Sequence, residues 1–257
     1  MEKETFKEFR ERVVHPKDDL FAILFMNFIT VRLAYIIIKY GIGITANAVT
    51  YVRMFLLGPA IILTLLIAPI FNNKLIYAIP LILSYLFLLS DWLDGQIARG
   101  SYKTSKKGAI LDSIADRFST IIMLVLLFSI GFHYNSPIIL FLSVFLFSLK
   151  CFHMMVITKL YYYEVGVDSN KVFGGADATG KMGVASIFKK ASNIIKIKKW
   201  GGTLGGSDRF FITVMLPMIL VLFGLRIITL LLLLAFSIFL LLFFIIRIKN
   251  LFKEMII

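Results

Sequence analysis

The sequence predicts an all-α integral membrane protein: a six-transmembrane-helix bundle preceded by an N-terminal amphipathic surface helix. Three observations carry that prediction. Hydrophobic residues fill 59% of the 257 positions and charged residues only 17%, too few charges to coat a soluble domain of this size. Apolar runs of about 18 residues or more recur, and ~20 residues rising 1.5 Å each cross a hydrocarbon core of ~30 Å. Lysines and arginines also gather in alternate connections, as they do in chains that retain their basic loops on the cytoplasmic side.

Taken in order, the chain opens with "MEKETFKEFRERVVHPKDD", a charged and mixed stretch with no cleavable signal peptide apparent. Residues 1–43 are expected to form a cytoplasmic tail and an amphipathic helix. Within them, residues 18–40 are apolar but interrupted by Arg32 and Lys39, which favours a helix lying on the cytoplasmic surface over a span. A transmembrane domain is expected over residues 44–250, with spans at roughly 47–71, 75–98, 108–132, 137–160, 208–223 and 227–248. Residues 251–257 form a short C-terminal tail.

Arg99, Lys103, Lys106 and Lys107 lie between the second and third spans, and a further run of lysines between the fourth and fifth. Arg247, Lys249 and Lys253 follow the sixth, whereas the connections near Asn72 and Asn135 hold only Lys74. The positive-inside rule then places both termini and both basic loops in the cytoplasm. The longest connection, residues 161–207, contains "GGADATGK", "FKKASNIIKIKKW" and "GGTLGG", and is expected to be a flexible loop with a short surface helix. Its Gly180–Lys181 pair lacks the spacing and preceding strand of a phosphate loop.

A single cysteine, Cys151, excludes an internal disulfide framework and a cysteine-based zinc site, and the three histidines are scattered. The formal charge of +13 suits anionic headgroups or phosphorylated substrates, besides setting membrane orientation. Membrane lipid is the expected surrounding, and no nucleic-acid partner is expected. The leucine- and phenylalanine-rich spans permit a homodimer without demanding one.

Residues 90–118, "SDWLDGQIARGSYKTSKKGAILDSIADRF", carry the chemistry. Asp91 and Asp94 are spaced i,i+3, and Asp112 and Asp116 i,i+4, so each pair shares a helix face. Counted inward from Lys74 and back from His133, Asp91 and Asp116 lie at one depth, about 26 Å across the membrane and near its cytoplasmic boundary. Gly95, Ala98 and Gly108 stand on or near those faces and let helices or a flat ligand approach the backbone. Four carboxylates so placed cost several kcal/mol unless they protonate or bind cations. Oxygen-only donors suit hard ions such as Mg²⁺, Mn²⁺ or Ca²⁺, and paired ions between carboxylates are a device of phosphoryl transfer. The alternatives are an aspartate–arginine network with Arg99 and Arg117, or a cation pathway.

At these residues the chain resembles the CDP-alcohol phosphatidyltransferase family. The family motif, D-x-x-D-G-x-x-A-R, eight residues, then G-x-x-x-D-x-x-x-D, reads here "DWLDGQIAR", "GSYKTSKK", "GAILDSIAD" without a mismatch. A second stretch, "TANAVT" at 45–50, resembles the T-P-N-x-[IV]-T with which many members begin their first span, with Ala46 in place of proline. The resemblance implies that Asp91, Asp94, Asp112 and Asp116 hold two divalent metal ions, Mg²⁺ or Mn²⁺. It makes Asp116 also the base that deprotonates the acceptor hydroxyl. It implies a nucleotide site at Gly95, Ala98, Arg99 and Gly108, with Asn47 and Thr50 from the first span. A CDP-linked lipid donor would pass its phospho-alcohol group to a small alcohol acceptor in phospholipid biosynthesis, releasing CMP.

Arg117 and Arg209 are candidate acceptor-binding residues, since guanidinium groups bind phosphate oxygens in pairs; they favour a phosphorylated polyol as acceptor. A CDP-inositol-type transferase making an osmolyte precursor is the alternative within the family. A divalent-cation transporter and an inactive scaffold are the alternatives outside it. The apolar outer halves of the second and third spans count against transport.

Overall fold

The structure is a computed structural model, which describes residues 4–14, 21–71, 73–102, 106–148, 210–235, 237–238 and 241. Among these residues the secondary structure is entirely helical. A short helix α1 (Phe6–Val13) is followed by α2 (Ala22–Lys39), α3 (Ala46–Phe71), α4 (Lys74–Gly100) and α5 (Lys106–His133). Shorter helices α6 (Pro137–Ser148), α7 (Phe211–Leu222) and α8 (Arg226–Ala235) complete it. Helices α3, α4, α5, α6, α7 and α8 fall where the six apolar runs were expected. The second half of the fourth run, the end of the sixth, the loop 161–207 and the tail 251–257 lie outside the described residues.

Helix ends follow local chemistry. Thr45 caps α3, its hydroxyl accepting from the Ala48 backbone N–H at 3.2 Å, so α3 starts firmly although Ala46 replaces the helix-starting proline. α3 and α7 each contain one widened turn, at Arg53–Leu57 and Phe211–Met215. A proline, Pro59 or Pro217, follows within two residues of each. Proline withholds an N–H and crowds the carbonyl four residues back, and a π-turn there relieves both. In α3 the widened turn begins at Arg53, which matters below.

The main core lies between α3, α4, α5 and α7, with Ile61, Leu65, Leu126, Leu127, Ile130 and Met218 fully buried in it. Gly58 lets α3 and α5 approach closely: a Cβ there would stand 2.8 Å from the Phe118 ring. The α5–α6 connection closes through Asn135, whose φ of 49° places it in the left-handed region while the Ser136 N–H reaches back to the Gly131 carbonyl at 2.8 Å.

A second, smaller core joins α1, α2 and the last turns of α4 around Phe9, Val13, Val31, Ala34 and Ile97. Arg12 donates to the Arg99 and Gly100 carbonyls at 3.0 and 2.9 Å, occupying the carbonyl groups that a helix C-terminus leaves unpaired. Arg99 returns the contact, its Nε donating to the Val13 carbonyl at 2.8 Å. Gly100 is enforced by this packing, because a Cβ would meet Ile38 at 2.5 Å and Phe9 at 2.8 Å.

By length and composition α2 is apolar enough to cross a membrane, as are α3 and α4, so apolarity alone does not single α2 out as a surface helix. Its two interrupting cations are folded onto its own aromatics, Arg32 over Phe28 at 3.8 Å and Lys39 over Tyr35 at 5.2 Å. Its contacts are more telling. Asn27 accepts from Gln96 at 3.1 Å, and Ile38 packs against Gly100. Asn27 and Ile38 are ~16 Å apart along α2, their partners only ~6 Å apart along α4. Helix α2 is therefore packed on the last turns of α4.

Candidate functional site

The site is assembled where α3, α4 and α5 meet. From α4 come Asp91 and Asp94, from α5 Asp112, and one carboxylate oxygen of each lies within 4.8 Å of the others. The i,i+3 spacing does what helix geometry requires, turning Asp91 and Asp94 toward one face. Asp94 is buried; the Asp91 and Asp112 side chains retain 29% and 47% of their exposure, so the cluster opens outward on that side.

Helix α3 supplies the partners. Thr50 donates to an Asp94 oxygen at 2.7 Å and is itself buried. One turn on, the fully buried Arg53 forms an ion pair with Asp91 through one nitrogen and with Asp112 at 2.6 Å through the other. The widened turn at Arg53–Leu57 sits at this residue, in keeping with the frequent placement of such turns at functional sites. Phe87 backs the guanidinium at 5.6 Å and stacks in turn on Phe210. All three described carboxylates are thus fixed from α3, two of them by a single arginine.

Arg53 was not among the residues that the sequence reading picked out. The signal was present: an arginine within an apolar run, one turn after Thr50, where an ionisable group is costly and therefore functional by default. An aspartate–arginine pairing, raised above as an alternative for Arg99 and Arg117, is made among the described residues by Arg53.

Other expected site residues take varied positions. Arg99 lies over Gly95, where a Cβ would stand 3.2 Å from the guanidinium, so Gly95 provides a seat for Arg99 as well as space. Thr50 engages Asp94, which gives it a role in holding a carboxylate. Ala98, Gly108 and Asn47 are partly exposed, the first two one turn from an aspartate of the cluster and Asn47 nearly one turn before Thr50. The side chains of Asp116 and Arg117, and Arg209 altogether, lie outside the described residues.

The donor set fits a hard divalent cation. Its ligand atoms are all carboxylate oxygens, close enough to converge on one ion, and they are held by hydrogen bonds from a neighbouring helix.

Compared with models of protein families, residues 43–252 match CDP-alcohol phosphatidyltransferase. No curated protein and no solved structure matches the chain.

Proposed function

The chain belongs to the CDP-alcohol phosphatidyltransferase family, and on that premise we propose that it transfers the phospho-alcohol group of a CDP-activated lipid to a phosphorylated polyol, releasing CMP. The observation that carries this reading is the convergence of Asp91, Asp94 and Asp112, spaced within an unbroken family motif. Asp91, Asp94, Asp112 and Asp116 would hold two ions, Mg²⁺ or Mn²⁺, whose chemistry when bound is to polarise the diphosphate and stabilise charge on the leaving CMP.

Asp116 takes the acceptor hydroxyl proton. The acceptor oxygen bonds to the β-phosphorus, the bridging P–O bond breaks, and CMP departs with that electron pair. Arg117 and Arg209 bind the acceptor phosphate, while Gly95, Ala98, Gly108 and Asn47 border the nucleotide. The site lies at the cytoplasmic boundary of six spans. Helix α2 lies across the cytoplasmic end of the bundle, a placement supported by its contacts with Gln96 and Gly100. A cation pathway is disfavoured, because the bundle beyond the carboxylates is filled by Ile122, Leu126, Leu127 and Ile130.

The test is CMP release from CDP-diacylglycerol by purified protein with Mn²⁺ or Mg²⁺, offering glycerol phosphate, inositol phosphate, inositol and serine in turn. The expected result is CMP with a phosphorylated polyol alone, lost with chelator and in Asp116→Asn. CMP formed only with an unphosphorylated alcohol would overturn the acceptor assignment. CMP from CDP-inositol but not from the lipid donor would overturn the donor.

A further inference from the structure

We propose that Arg53 is an exchangeable counter-ion: it holds the carboxylates while the site contains no metal, and turns to the donor's diphosphate when metal binds. The inference rests on the reading of the aspartates as a metal site. Its basis is a conflict of position. Arg53 touches one oxygen of Asp91 and one of Asp112, and carboxylate oxygens of these same two residues belong to the set that converges with Asp94. A divalent ion binds carboxylate oxygen at roughly 2.0–2.6 Å. A guanidinium nitrogen 2.6 Å from Asp112 competes with an ion for that carboxylate. The two cations would also stand side by side in a poorly solvated place, where like charges repel strongly.

Burial makes the exchange consequential. Arg53 is 0% exposed, so once metal takes its carboxylates the guanidinium cannot simply turn to water. A guanidinium remains charged under all ordinary conditions and needs an anion. The donor brings one to this spot, a diphosphate whose oxygens match the planar fork. Arg53 therefore has two partners available in sequence. In the metal-free site it prevents the carboxylates from repelling one another; in the loaded site it becomes part of the phosphate-binding wall. Its contacts with Asp91 and Asp112 place the side chain on the α4–α5 face.

A purely structural arginine and an exchangeable one predict different signs. Removing a scaffold residue weakens everything that the scaffold supports. Removing an exchangeable cation strengthens the binding of its competitor and weakens that of its second partner. The experiment compares wild type with Arg53→Gln in detergent, measuring Mn²⁺ affinity by the paramagnetic signal of free Mn²⁺, then CDP affinity at saturating Mn²⁺ by calorimetry. The expected result is Mn²⁺ binding at least about tenfold tighter, and CDP binding about tenfold weaker, as loss of a charge-assisted contact implies.

Arg53→Lys, which keeps the charge but cannot bridge two carboxylates, should fall between the two in both measurements. It carries the test alone if Arg53→Gln does not fold. Weakening of both ligands, or no change in either, overturns the exchange. Mn²⁺ binding to neither wild type nor variant overturns the metal-site reading and this inference with it. Binding to the variant alone supports the exchange in its strongest form.

Discussion

Thr50 and Arg53, one turn apart on α3, decide how three carboxylates can coexist beside an apolar core. Thr50→Val keeps shape but removes the hydroxyl that donates to Asp94, a 2.7 Å bond in a buried setting. It should destabilise the protein by ~1–3 kcal/mol, read as a lower midpoint in thermal unfolding, and reduce turnover. An unchanged midpoint would mean that Asp94 is held by other groups. Asp91→Asn removes a ligand charge and one partner of Arg53, so Mn²⁺ affinity should fall by about tenfold or more, measured by metal titration. The carboxylates were legible in the sequence because a fixed motif and helical spacing mark them. Arg53 was less so, since its role follows from packing between helices distant in the chain, and one cation inside an apolar run gives no indication of its partners.

At the scale of elements, α1 and the end of α4 form one unit. Arg12 caps α4 while Arg99 caps α1, tying the motif's arginine to a helix that precedes the family's matched region. Arg12→Ala should cost ~1–2 kcal/mol by freeing two carbonyls. Gly100→Ala should cost ~1–3 kcal/mol by driving a methyl group into Ile38 and Phe9; both are read by thermal unfolding. The Glu8 carboxyl is held below its ordinary value by hydrogen bonds from the Thr5 backbone and hydroxyl. Its contribution to α1 is therefore complete above the unfolded value and is lost as pH falls through the lower, folded one. Amide protection over residues 6–13, corrected for intrinsic exchange, should fall in that acidic window and not above it. The start of α1 was written in the sequence, where Thr5 and Glu8 form a capping box that the reading of the first residues as a tail passed over. The docking of α1 was not, because it depends on a steric fit at Gly100 that no local pattern announces.

For the whole molecule, apolar run length gave the helices and their order, since hydrocarbon demands it. Membership of the membrane was harder to read for α2: it satisfies the length and apolarity of a span, although Arg32 and Lys39 interrupt it. The π-turns in α3 and α7 precede prolines visible in the sequence, and the one in α3 begins at Arg53. These parts converge on a single claim, that the carboxylate cluster serves transfer of a phospho-alcohol group from CDP to an acceptor. The most direct measurement places ³²P in the β-phosphate of CDP-diacylglycerol and follows it after incubation with Mn²⁺ and acceptor. The account predicts that all released label appears in the acceptor-bearing lipid, none in CMP, and that chelator abolishes the transfer. Label recovered in the nucleotide, or transfer indifferent to chelator, would contradict it.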